Sequence, residues 1–210
     1  MSGRREIRQE VSRIIWEYLP SHTELIWCSI RALIIRSTTM GSFCAGADLV
    51  ERRTMSQIQV AKFLSDLRAA LGELEALPMP TIAAIDGPAL GGGLELSFAC
   101  DLRVAGELCL FMLRVHLTRI EGHSVSKIGL PETRLGIIPG AGGTQRAVRL
   151  LGMSKAKDLI FTAKMLTAQE ALEWGSETSV CIFMMCSDGC EYRCCGLCII
   201  SIFFGLRAGS

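Results

Sequence analysis

Two acidic residues, each beside a glycine-rich loop, are the candidates for chemistry in this sequence. Glu95 closely follows the triplet at residues 91–93. The apolar, β-branched run Thr81–Ile85 upstream predicts a buried strand, and residues 94–100 predict one or two helical turns. A glycine turn between a strand and a helix start presents bare N–H groups at the positive end of the helix dipole. Such a site suits an anion, and Glu95 is placed to act on the molecule that carries it.

The second acid is Glu132, which follows Pro131 and precedes the glycine loop at residues 136–143, GIIPGAGG. Two acids in different surroundings can divide general acid and general base work on one water molecule. A structural role remains open for each of them. Glu95 could simply favour the dipole of its own helix, and Glu132 could be an ordinary turn residue. Asp48 and Asp101 are predicted to satisfy backbone amides rather than to catalyse.

The remaining pattern alternates strands with helices, which indicates an α/β protein. Ser56 and Gln59 form a capping box that opens a helical stripe of apolar residues running to Leu77, and Thr167 and Glu170 form another. Further predicted elements are strands at residues 31–36, 102–105 and 127–130, a turn at 131–133, and helices at 144–151, 154–161 and 167–174.

Composition limits the classes of function. A chain of 210 residues, half of them hydrophobic, suits one domain. The formal net charge of +1 gives no electrostatic case for nucleic acid or an anionic membrane, and no apolar run is long enough for a transmembrane helix. Residues 1–20 are predicted to be helical; their arginines suit an organelle transit peptide, whereas their three glutamates suit a solvated helix.

The ten cysteines are unevenly distributed. Cys28, Cys44, Cys100 and Cys109 have apolar neighbours and are predicted to be buried, while six others lie in the last thirty residues. No secretory signal is evident, so we expect a reducing compartment without a disulfide framework. The spacing of the tail cysteines is not that of a paired zinc motif.

Three motifs resemble the crotonase, or enoyl-CoA hydratase/isomerase, superfamily. They are FCAGADL at residues 43–49, PTIAAIDGPALGGGLELSFACDLRVA at 80–105 and GLPETRLGIIPGAGGTQR at 129–146. Their order is that of the superfamily, and within it the sequence is most similar to the mitochondrial methylglutaconyl-CoA and enoyl-CoA hydratases. The resemblance implies an α/β fold, a spiral of ββα units with two nearly perpendicular sheets, incomplete here at both ends.

The resemblance also implies a function, the hydration of a 2-enoyl-CoA thioester in fatty-acid or branched-chain amino-acid breakdown. The oxyanion hole would be the backbone N–H groups of Ala47 and Gly92. Glu95 would act on the water and Glu132 on the proton at C2. Gly140 would line the site near the water, Ala45 would lie along the adenine end of CoA, and Asp48 completes the residues expected to contact substrate. No cofactor is expected beyond the CoA of the substrate. The family forms trimers and hexamers, and a mitochondrial location is implied.

The sequence departs from the superfamily pattern in three regions. Residues 1–30 are divergent, residues 106–126 interrupt the core at 31–175, and residues 176–210 are a cysteine-rich divergent tail. Val50 also stands where the family often has lysine. One alternative is therefore a catalytically impaired isoform that only binds acyl-CoA or pairs with full-length subunits. A lesser alternative is binding of AU-rich RNA, as in a relative that uses a lysine-rich helix; the matching segment here, residues 50–77, has balanced charges.

Overall fold

The computed structural model describes residues 31–37, 41–105 and 127–176, together with the backbone of two strands at 179–180 and 197–202. The predicted N-terminal helix, the interrupting segment 106–126 and most of the tail lie outside the described residues. In chain order the elements are β1 (Ala32–Ser37), α1 (Leu49–Arg53), α2 (Gln57–Glu75), β2 (Thr81–Ile85), β3 (Ala89–Leu90), α3 (Gly92–Phe98), β4 (Leu102–Ala105), β5 (Ile128–Gly129), a 3₁₀ helix (Pro131–Leu135), α4 (Gly143–Leu151), α5 (Met153–Thr162), β6 (Met165–Leu166), α6 (Ala168–Trp174), β7 (Ser179–Val180) and β8 (Leu197–Ile202).

The larger sheet has five strands in the order β7-β4-β2-β1-β8, and every neighbouring pair is parallel. Burial alternates along β1 and β2, so that Leu33 and Ile35 pack with Ala83 and Ile85 in the core. Strand β8, from the divergent tail, pairs along the whole of β1. Asp101 accepts hydrogen bonds from Thr81 N and Oγ1, both at 2.8 Å, and thereby ties the start of β2 to the start of β4.

A second, three-stranded sheet has the order β3-β5-β6. Strand β3 pairs with β5 in parallel, with Leu90 opposite Gly129, and β5 pairs with β6 antiparallel. Residues 106–126 separate β4 from β5 in the sequence, yet the β3–β5 pairing brings the chain before Glu132 directly beside the glycine turn at 91–93. This small sheet is therefore the element that unites the two motifs.

Helix α2 opens with the predicted capping box of Ser56 and Gln59 and buries Ala70, Leu71 and Leu74 against the core. It ends at Glu75, two residues earlier than predicted, because the backbone of Ala76 leaves the helical conformation (φ −91°, ψ 2°). The capping box of Thr167 and Glu170 opens α6, which ends at Gly175 in the left-handed conformation, as predicted. The predicted turn at 131–133 is a 3₁₀ helix, since Pro131 suits its first position.

The described part of the chain bears on membrane spans, cysteines and metal ligands. No helix there is long and apolar enough to cross a membrane. Cys44 and Cys100 are free and buried, as predicted, whereas Cys28, Cys109 and the six tail cysteines lie outside the described residues. The same ranges contain no cluster of three metal-ligating side chains.

Candidate active site

The turn around Ala47 lies directly against the turn around Gly92. The amides of Phe43 and Cys44 both donate to Pro88 O at 3.1 Å, and Cys44 O accepts from Leu90 N at 2.9 Å. The approach is close enough that a β-carbon built on Gly92 would lie 3.9 Å from Ala47 N. Within the described residues no acceptor takes either the Ala47 or the Gly92 amide. Two donors therefore lie side by side at the N-terminus of α3. This arrangement is able to hold one oxygen that carries negative charge.

Glu95 lies in the first turn of α3, but its carboxylate accepts hydrogen bonds at the start of a different helix. Its Oε1 accepts from Ala141 N at 2.8 Å and from Gly143 N at 2.7 Å, the amides at the start of α4. The side chain is only 3% exposed. A buried carboxylate at a helix N-terminus with two amide donors is stabilised in its ionised form. The alternative that Glu95 favours the dipole of its own helix is therefore wrong about the helix, because the carboxylate binds the start of α4.

Glu132 approaches the same place from the 3₁₀ helix. Its carboxyl group lies against the turn before α3, since a β-carbon built on Gly91 would be 3.1 Å from Glu132 Oε1. The residue is 8% exposed, and its Oε2 is buried without a hydrogen-bond partner within the described residues. An unpaired buried carboxylate is costly, so this group favours its protonated form or an additional hydrogen-bonding molecule.

The two acids therefore differ in acidity for identifiable reasons. Burial, together with the neighbouring charge of Glu95, raises the pKa of Glu132 to about 7 against the opposing effects of its own backbone amide and of Arg52. Burial also raises the pKa of Glu95, but the amides of Gly143 and Ala141 and the charge of Arg146 act against it. The two acids are thus suited to different parts of proton transfer, because two amides hold the charge of Glu95 whereas an oxygen of Glu132 has no partner within the described residues.

Both acids and both amide-bearing residues line one cavity of about 140 Å³. Ala45 and Gly140 also line it, so six of the seven residues predicted from the sequence come together. Asp48 does not line it: its carboxylate caps α1, accepting from Val50 N at 2.8 Å and from Glu51 N at 3.2 Å. The capping role expected for Asp48 is confirmed, and its contact with substrate stays a prediction.

Several residues of the cavity were not predicted. Arg52 lines it near both acids, and its place in the short helix α1 has no distinctive sequence signal. Ala141 also lines the cavity; its amide and that of Gly143 belong to the predicted glycine loop, but only the fold shows that they donate to Glu95. The apolar wall comes from α1, α2, α3 and the 3₁₀ segment and includes Leu49, Phe63, Leu64, Leu67, Leu71, Leu96, Leu135, Ile137 and Ile138.

The raised pKa of Glu132 predicts a pH-dependent gain in stability on replacing it with glutamine. Between pH 4.5 and about 7 the unfolded chain releases a proton that the folded chain retains, so the wild type loses stability as the pH rises. The full shift corresponds to about 3 kcal/mol. Glu132→Gln, which does not titrate, is therefore expected to have a free energy of unfolding up to about 3 kcal/mol higher than that of the wild type above pH 7. This difference should disappear below pH 4.5.

Urea unfolding at pH 4.5, 6 and 8 measures this difference in free energy. Glu73→Gln, on the exposed face of α2, is the matched control and should show no such trend. A difference between Glu132→Gln and the wild type that stayed constant across the range would contradict a buried, protonated Glu132.

The chain matches known proteins over most of its described length. The family model for enoyl-CoA hydratase/isomerase matches residues 28–120 and 118–182. An enoyl-CoA isomerase/hydratase of Mycosarcoma maydis is 46% identical over 198 residues, covering 90% of this chain and 66% of the relative. The human mitochondrial methylglutaconyl-CoA hydratase is 53% identical over 142 residues, covering 68% of this chain and 37% of the relative.

The fold comparison agrees. The crystal structure of an enoyl-CoA hydratase from Bacillus anthracis superimposes with a TM-score of 0.67 at 41% identity, covering 83% of this chain and 58% of that one. The crotonase-like α/β fold predicted from the motifs is thus confirmed, although the chain spans only part of the length of these relatives. With a family match over more than half of its residues, the chain belongs to the enoyl-CoA hydratase/isomerase family.

Proposed function

We propose that this chain adds water across the C2=C3 double bond of a 2-enoyl-CoA thioester to give a 3-hydroxyacyl-CoA. The observation that carries this proposal is the meeting of two amides and two unlike acids in one cavity. The oxyanion hole, the catalytic pair and the substrate contacts named from the sequence are part of the proposal. Similarity to relatives that are named as hydratases supports it.

The chemistry assigns one role to each group. The amides of Ala47 and Gly92 hydrogen-bond the thioester oxygen and stabilise the negative charge that it gains. Glu95 takes a proton from water as the water oxygen forms a bond to C3, and the electron pair of the C2=C3 bond moves towards the thioester. Glu132 then gives its proton to C2. The proton on Glu95 passes to Glu132 to restore both acids, so the net reaction consumes one water.

The cavity favours a short or branched acyl group. An apolar protein cavity of about 150 Å³ is known to accept benzene, so the volume of about 140 Å³ here suits an acyl group of similar bulk. Leu49, Leu135 and Ile138 line the cavity and are 42%, 53% and 67% exposed. This apolar rim suits the methylene groups of a pantetheine arm. Ala45 is assigned to the CoA side of the site by the resemblance.

The predictions about cofactors, location and assembly belong to the same proposal. The reaction needs neither a metal nor a redox group, because proton transfer and the two amides supply all of the chemistry. Mitochondrial location is proposed because relatives 53% and 50% identical carry it in their names. Assembly into trimers or hexamers, with or without full-length subunits, is proposed from the resemblance alone.

Two alternatives compete. An impaired isoform that binds acyl-CoA without turnover is kept as an alternative because residues 106–126 and 176–210 depart from the family pattern. RNA binding has less in its favour, because three of the four cations of segment 50–77 have contacts within the protein. Arg52 lines the cavity, Lys62 pairs with Asp66 at 3.6 Å, and Arg68 donates to Gly140 O at 2.9 Å.

The experiment supplies the purified chain with a short 2-enoyl-CoA and follows loss of the conjugated thioester absorbance. Hydration predicts that loss, together with a 3-hydroxyacyl-CoA product identified by mass. Calorimetry with the corresponding saturated acyl-CoA runs in parallel. Binding without turnover would favour the impaired isoform and exclude hydration, and salt-sensitive binding of AU-rich RNA without either would favour the third function.

A further inference from the structure

We propose that Arg146 is a positioning residue which, from behind the glycine loop at 140–143, keeps that loop's amides on Glu95. The proposal rests on the proposed function for its role in turnover, because Glu95 matters there as the proton acceptor. Arg146 does not line the cavity and has no direct hydrogen bond to Glu95. Its action would be exerted entirely through the loop and through its charge.

The contacts of Arg146 tie the loop to helix α2. The side chain is 9% exposed, and its Nη1 donates to Ala141 O at 3.0 Å. Its Nε and Nη2 both donate to Glu75 Oε2, at 3.2 and 2.8 Å. Gly142 leaves room for the guanidinium, since a β-carbon built there would lie 2.5 Å from Nη1. The planar guanidinium therefore spans from the last residue of α2 to the loop, which a point-like ammonium cannot reproduce.

Helix α2 contacts the same loop at a second point. Arg68 Nη1 donates to Gly140 O at 2.9 Å. The N–H of that same peptide group is the Ala141 amide, which donates to Glu95 Oε1 at 2.8 Å. One peptide unit thus has an arginine on its carbonyl and a carboxylate on its amide. Each of these hydrogen bonds polarises the other, and the positive charge of Arg68 on the carbonyl side favours the ionised form of Glu95.

Few charged side chains lie near Glu95 within the described residues. Glu132 approaches from the 3₁₀ helix, Arg52 from α1 and Arg146 from α4, and the last two lower the pKa of Glu95 against the effect of burial. Burial raises the pKa of the Cys44 thiol, which also lines the cavity, to about 11, so that it is neutral here. Removing Arg146 withdraws both a charge and the support of an amide donor, and both losses raise the pKa of Glu95.

The test measures the ionisation of Glu95 directly, so that it does not depend on turnover. The carboxyl carbon of Glu95 is followed by ¹³C NMR through a pH titration of the full chain, wild type and Arg146→Gln. We expect the midpoint to rise by about one pH unit, which is about tenfold in the ionisation constant. In turnover assays the acid limb of kcat should move upward by the same amount, with KM changed by less than about twofold.

Matched variants separate positioning from a merely structural role. Arg149→Gln removes a cation from the same helix that lies 3.6 Å from Glu75 but does not reach the loop, and it should leave the midpoint unchanged. Arg146→Lys keeps the charge without the fork and should recover part of the shift. Should Arg146→Gln fail to fold, Arg68→Gln, at an exposed site, should give a smaller rise.

A Glu95 midpoint equal to that of the wild type in folded Arg146→Gln, or in Arg68→Gln if Arg146→Gln does not fold, would overturn the proposal. So would lower thermal stability with an unchanged titration of Glu95. Absence of hydratase activity in the wild type would instead refute the proposed function, because the NMR titration would still report on the effect of Arg146.

Discussion

Glutamine in place of either Glu95 or Glu132 is expected to reduce hydration by about 10²–10⁴-fold, the range for loss of a positioned general acid or base. The substitution preserves shape: the side-chain carbonyl oxygen of a glutamine at position 95 can still accept from Ala141 and Gly143, as Glu95 Oε1 does at 2.8 and 2.7 Å. What disappears is the ability to take a proton from water. At position 132 the loss is of the proton for C2, since an amide is not an acid at neutral pH.

The variants are compared by steady-state turnover of a short enoyl-CoA and by calorimetry with its saturated analogue. Binding should remain within a few-fold of the wild type, because the oxyanion amides and the apolar wall are untouched. The double variant tests whether the acids act on one water. If they do, it should be little worse than the poorer single variant, because residues that act as a unit are not additive. Glu73→Gln on the exposed face of α2 is the control. Turnover within about threefold of the wild type in either single variant would remove that acid from the mechanism.

Alanine at Gly93 is expected to destabilise the fold by about 4 kcal/mol or more, the upper end of single substitutions. A β-carbon there would overlap Cys44 O and would lie 2.6 Å from Cys44 Cβ, and the overlapped atom is backbone that cannot rotate away. The clash would push the loop at 41–48 away from the start of α3. The two amides of Ala47 and Gly92 would then separate, so loss of stability and loss of turnover should occur together.

Gly72→Ala provides the matched comparison for Gly93→Ala. Gly72 lies within α2 with nothing within 4 Å of its β-carbon position, so alanine should add up to about 1 kcal/mol through helix propensity. Urea unfolding of both variants at one pH measures the two effects. A Gly93→Ala protein within about 1 kcal/mol of the wild type would show that the two loops are not packed as closely as the structure has them.

Local physics determined much of what the sequence predicted correctly. The capping boxes of α2 and α6 require only residues three apart in the chain, so that neither depends on the rest of the fold. Strands β1 and β2 carry runs of apolar residues that suit a sheet in any α/β protein. The two glycine loops and their acids were recognisable because glycine, proline and charge stand out in a sequence without reference to any partner.

Tertiary structure alone decided how these parts act. Glu95 lies 46 residues before Ala141 in the chain, so its hydrogen bonds to the start of α4 rather than of α3 could not be inferred from local pattern. The unequal acidity of the two glutamates follows from burial and donor count, which exist only after packing. The sequence therefore determined which residues could do chemistry. The folding of β3 onto β5 decided that they meet, because that pairing is the contact that overcomes the separation imposed by residues 106–126.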